Sequence, residues 1–143
     1  MRKLFSVLPL LSVGFPVSVG AQTMFGLVDL NQTTIEKPIQ VYGKAKFKNS
    51  QLNQIAEIKG VLLSENTHFE DDIKINGSGS VLDHSEVSGD VHVTHYFGPP
   101  KIELKHSTVN GQIIFHSLQE GSVIMDPESN VKQGIKNGVK HDQ

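Results

Sequence analysis

Hydrophobic residues fall at even intervals along this chain, and the intervals themselves repeat. A Ser or Thr followed two positions later by an aliphatic or aromatic residue recurs as Thr33/Ile35, Ser50/Leu52, Thr67/Phe69, Ser85/Val87, Ser107/Val109 and Ser129/Val131, at spacings of 17, 17, 18, 22 and 22 residues. Six positions after each anchor stand Ile39, Ala56, Ile73, Val91, Ile113 and Ile135, and eight positions after stand Val41, Ile58, Ile75, Val93, Phe115 and Asn137. Five positions before the anchors stand Val28, Ala45, Leu62, Ser80, Ile102 and Ile124, and ten positions after the first three stand Gly43, Gly60 and Gly77. Offsets of two, six and eight follow the alternation of a strand and not the period of a helix. The Ile, Val and Phe that fill them suit a pleated, half-buried surface.

A two-residue alternation that recurs every 17 to 22 residues predicts an all-β fold, a single-chain parallel β-helix or solenoid of about six coils. Each coil lays short strands on two or three faces, and the next coil stacks on it about 4.8 Å away. One coil alone buries nothing; the stack buries a continuous apolar column. Met24, Phe25, Leu27 and Leu30 are expected to close its N-terminal end, and the polar tail from about Lys136 is expected to fray. The extra residues of the longer coils fall at 94–100 and 118–121, where Gly and Pro mark loops. An antiparallel sandwich would account for short alternating strands but not for identical columns at the coil period.

The pattern is clearest as Ser85-Glu86-Val87-Ser88-Gly89-Asp90-Val91-His92-Val93 and as Ser107-Thr108-Val109-Asn110-Gly111-Gln112-Ile113-Ile114-Phe115. It resembles the coils of bactofilins, the polymer-forming bacterial cytoskeletal β-helices, and those of other short bacterial β-solenoids, including adhesin passenger domains. What the resemblance implies is the β-helix fold, over roughly residues 27–131.

The first 21 residues change the picture of where this solenoid works. Arg2 and Lys3 precede an apolar run at 4–13, and Val19-Gly20-Ala21 places small residues where a signal peptidase reads. Residues 1–21 are therefore expected to be a cleaved signal peptide and residues 22–143 the β-helix domain, secreted or periplasmic. The apolar stretch is broken by Gly14 and Pro16 and falls short of the roughly 20 residues that span a bilayer. With no Cys, the domain cannot carry disulfides and rests on packing. Of the 13 basic residues two lie in the leader, and 15 acids outweigh the rest, which argues against a nucleic-acid partner. Arg2 is the only arginine, so the domain lacks the planar fork that pairs with phosphate or uronate carboxylates.

Candidate chemistry lies in the polar columns. The position before each anchor reads Gln32, Asn49, Asn66, His84, His106 and Glu128, which predicts a stacked polar ladder beside the structural ladder of Thr33, Ser50, Thr67, Ser85, Ser107 and Ser129. A sharper reading makes His84, His106 and Glu128 ligands of a divalent metal. Asp72 and Asp90, on adjacent coils, are a second candidate: like charges so stacked repel, and a divalent cation such as Ca²⁺ would relieve them. β-Helical pectate lyases hold calcium in such clusters, but the missing arginine argues against uronate lysis. Seven His residues, with His92 and His116 facing outward on one flank, point to the expectation of pH-dependent surface binding.

No catalytic constellation, phosphate loop or nucleophile elbow is present in the sequence. The expectation is a non-enzymatic extracytoplasmic solenoid with no obligatory cofactor. It would present a flat outward column of Gln40, Glu57, Lys74, His92 and Ile114 to a partner, either a copy of itself, stacked end to end, or a surface glycan or protein. The competing expectation is a small carbohydrate-active or metal-dependent enzyme on the same scaffold.

Overall fold

The computed structural model describes residues 22–143; the expected signal peptide lies outside them. Three ten-residue strands, Gln22–Asn31, Ile39–Lys48 and Ala56–Glu65, stack in parallel and strict register, Ile39 on Gln22 and Ala56 on Ile39. Each turns a corner at its middle glycine, so its first half lies on what we call the front face and its second half on the rear face. Beyond the third coil the two halves become separate strands. The front face continues as Ile73–Asn76, Val91–Thr94, Ile113–Phe115 and Ile135–Lys136. The rear face continues as Ser80–Asp83, Lys101–Lys105, Gly121–Met125 and Gly138–Asp142. Two-residue strands from Thr34–Ile35 to Asn130–Val131 form a narrow third face, the base, as a six-stranded parallel sheet. The domain is a three-faced parallel β-solenoid of about 7 turns. Among the described residues no helix is long and apolar enough to cross a membrane.

The predicted inward columns form the core. Ile39, Val41, Leu52, Ile58, Phe69, Ile73, Val87, Val109 and Ile113 are all buried, and Phe47 packs on Phe69 with ring centroids 6.2 Å apart. The anchor column is buried from Ser50 to Ser129, with Thr33 half-buried on the first coil, because these hydroxyls complete the corner. Ser107 Oγ accepts the N–H of Ser85 at 3.0 Å and lies within donating distance of the carbonyls of Lys105 (2.8 Å) and Leu82 (3.0 Å). Ser50 serves Thr33, Ser85 serves Thr67 and Ser129 serves Ser107 in the same way, so a hydroxyl from each of these coils caps a backbone donor of the coil before. The residue ahead of each anchor explains the Asn and His column. Gln32, Asn49, Asn66, His84 and His106 all adopt a left-handed backbone, with φ between 47° and 54°. Asn and His tolerate that region better than most side chains do.

Three expectations are corrected. Ile124 faces outward in register with Glu103, whereas Val123 and Met125 point into the core. The turn at Asp126 and Pro127 inserts one residue ahead of Ser129 and reverses the alternation of the strand before it. The tail from Lys136 does not fray: Gly138–Asp142 pairs along its length with Gly121–Met125 and adds a further rung. At the other end only Met24 and Leu30 pack against the core, while Phe25 and Leu27 point to solvent.

Candidate functional site

Strand register sets the front face. Gln40, Glu57, Lys74, His92 and Ile114 stand in one outward column, each directly over the next, extended by Thr23 at the top and Lys136 at the bottom. The upper part is linked side chain to side chain. Thr23 Oγ1 donates to Gln40 Oε1 at 3.3 Å, and Gln40 Nε2 donates to Glu57 Oε1 at 3.0 Å. The neighbouring column carries Phe25 stacked on Tyr42 at 5.2 Å, and Lys59 Nζ lies 5.0 Å from the Tyr42 ring centroid.

Lower on this face the loop at 95–100 raises a wall. Between it and the strands lies an open groove of about 390 Å³, bordered by Lys59, Lys74, His92, Tyr96 and His116 with Glu57 at its upper end. His92 and His116 belong to successive coils. Their rings stack with centroids 5.1 Å apart, and His92 Nδ1 lies 2.9 Å from His116 Nε2, so one ring donates to the other. Burial, then the nearby His92, then Lys136 hold the His116 imidazole below its usual value.

The sign of that shift makes stability pH-dependent. The folded chain binds a proton at His116 less readily than the unfolded chain does. The contribution is therefore complete above the ordinary imidazole value of 6.5 and declines as the pH falls below it. Denaturant titrations on either side of that value should record this loss in the wild type and a smaller one in His116→Gln. Equal losses in the two proteins would assign the pH dependence to other groups.

The expected metal ligands are regrouped. His84 stacks on His106, with centroids 4.8 Å apart and planes 2° from parallel, but its Nδ1 turns to Asp83 Oδ1 at 2.6 Å. The groups that gather around His106 are Asp126 and Glu128, not His84. Asp126 Oδ2 lies 2.9 Å from His106 Nδ1, and Glu128 Oε1 lies 3.4 Å from His106 Nε2. The hydrogen bond from Ser129 Oγ, with the N–H and charge of His106, outweighs burial and holds the Asp126 carboxyl below the usual carboxylate range. Asp126 thus works as a corner cap. Sequence columns missed it because the inserted residue removes it from any fixed offset, although the Asp-Pro pair itself signals a turn.

Asp72 and Asp90 do come together, and His92 joins them, with ligand atoms within 4.8 Å of one another. Their stacking has a structural basis: Asp72 Oδ1 accepts the N–H of Asp90, and Asp90 Oδ1 accepts the N–H of Gln112, each at 2.8 Å. These bonds tie both carboxylates to the backbone of the following coil. One oxygen of each carboxylate and His92 Nε2 remain as the atoms that could hold a metal. Searches of protein-family models, of curated proteins and of solved structures find no match to this chain.

Proposed function

We propose that this chain is a non-enzymatic, extracytoplasmic binding solenoid that holds an extended surface glycan along its front face. The observation that carries this reading is the in-register polar column running into a groove bordered by Lys74, His92, His116 and the ring of Tyr96. Donors and acceptors repeated about every 4.8 Å along a straight axis can meet the hydroxyls of an extended polymer. An aromatic wall gives a sugar ring an apolar surface to rest on. Structural bonds to Asp72 and Asp90 Oδ1 from backbone N–H groups, and to Asp126 from Ser129 and His106, support a role in the fold for these acids.

End-to-end assembly is the less favoured reading. The last coil exposes Lys132, Gln133, Lys136, Lys140 and His141, and lysine on a strand edge opposes pairing with another chain. The test is retention of the protein on immobilised bacterial surface polysaccharides, with the eluate examined for cleaved sugar. Tyr96→Ala and Lys74→Ala should each weaken retention by about tenfold, roughly 1.4 kcal/mol. Unchanged retention would remove the groove as the site, and released oligosaccharide would move the assignment to the carbohydrate-active enzyme.

A further inference from the structure

The edge where the front and rear faces meet collects the large apolar side chains that the described part of the molecule leaves in water. Phe25 and Leu27 flank Gly26 on the first coil, and Tyr42 precedes Gly43 on the second. Tyr96 and Phe97 stand in the loop at 95–100, the latter 94% exposed, and Leu118 stands fully exposed in the loop at 116–120. Val139, on the last coil, lies next to the same corner. Neither of the other two edges of the prism exposes such a residue among those described.

The fold does not require these loops. The first three coils turn the same corner at one glycine each, Gly26, Gly43 and Gly60, without interrupting the strand. The residues that lengthen the fifth and sixth coils therefore serve something other than closure, and they place Tyr96, Phe97 and Leu118 at the surface. The charged residues at the outward positions bordering the edge are lysines, Lys59 on the front side and Lys44 and Lys101 on the rear, against Glu120 in the second loop. A local surplus of cations stands here on a chain that is acidic overall.

We propose that this edge docks on an anionic lipid bilayer, with Phe97 and Leu118 entering the interface and the lysines lying at headgroup level. Phe97 and Leu118 project from the corner on adjacent coils, whose strands stack about 4.8 Å apart. A projecting apolar tip encloses no sugar or small ligand and would need a matching groove on a protein partner; a fluid interface adapts to it. Apolar tips above basic flanks have the chemistry of a peripheral membrane anchor, in which burial and attraction to anionic lipid add. The edge adjoins the glycan groove, with Tyr96 and Lys59 on both, but Phe97 and Leu118 lie outside the groove's borders.

Flotation of the protein with vesicles tests the proposal. The wild type should float with vesicles containing phosphatidylglycerol at least about tenfold better than with phosphatidylcholine alone. The double variant Phe97→Ser with Leu118→Ser should lose at least about tenfold of that binding, and Lys44→Glu with Lys101→Glu should lose the preference for phosphatidylglycerol. All four positions are solvent-exposed, so the thermal melt should not move. Absence of flotation, or equal flotation of wild type and the serine variant, overturns the proposal. So does a lipid-free dimer that the serine variant dissociates, which would make the edge an interface between copies. Retention on polysaccharide should be the same for the wild type and the serine variant, so the two sites fail or succeed separately.

Discussion

Gly60→Ala is expected to destabilise the domain by about 2 to 5 kcal/mol, the largest single-residue loss we anticipate. Two effects combine. The backbone at Gly60 has φ +148°, a conformation that costs an L residue about 1 to 2 kcal/mol. The added Cβ would also overlap the carbonyl oxygen of Gly43 and lie 2.8 Å from its carbonyl carbon, and forcing an atom into packed structure costs about 1 to 3 kcal/mol. The neighbours cannot give way independently, because Gly43 meets Gly26 and Gly77 meets Gly60 in the same manner. Urea unfolding followed by far-ultraviolet circular dichroism measures the loss. Gly79→Ala is the control: its φ is +92°, but an added Cβ there meets nothing within 4 Å. It should therefore show only the conformational part, about 1 to 2 kcal/mol. Equal losses at the two positions would mean that glycine stacking does not constrain the corner.

Ser107→Ala should cost about 1 to 3 kcal/mol, because it leaves a buried backbone donor without a partner. Ser107 is 1% exposed, and its hydroxyl is the acceptor for the N–H of Ser85. Water cannot replace it without opening the corner. Ser107→Thr keeps the hydroxyl, and Thr67 occupies the equivalent buried place two coils earlier. The threonine variant should therefore recover most of the stability. A threonine variant as weak as the alanine variant would point to packing volume as the role of this column, not hydrogen bonding.

Much of the fold is legible because the solenoid reads its inward face off a short rule. Each coil must put the same kind of side chain at the same offset, so Ile39, Ala56, Ile73, Val91 and Ile113 identify themselves by position. The corner is legible for a different reason. Its column reads as a polar ladder in the sequence, and the structure adds that Asn49, Asn66, His84 and His106 take a left-handed backbone, which these residue types accept. The rule fails at Ile124, where the one-residue insertion at Asp126 and Pro127 reverses the alternation. It also misses the rung at Gly138–Asp142, since a terminal strand with one neighbour can be polar on its open side.

The candidate sites were less legible than the fold. The outward column of Gln40, Glu57, Lys74, His92 and Ile114 follows from the same offsets as the core. Its groove does not, because the wall is Tyr96 in a loop that no offset places. His84 and His106 share a column and do stack, yet ring rotation sends His84 to Asp83 and brings Asp126 to His106.

The sequence by itself determined the parallel stacking, the inward columns and the hydroxyl ladder, since period and residue type are enough to say which side chains leave water. Only the tertiary structure decided which outward groups meet. Those contacts depend on the coil above and the coil below and on the direction in which the added loops project. The gathering of Phe25, Tyr42, Phe97 and Leu118 on one edge has that origin. Phe25 and Tyr42 share a column, but Phe97 and Leu118 stand in none; they join the same edge because the extra loops open at the corner that the glycines turn.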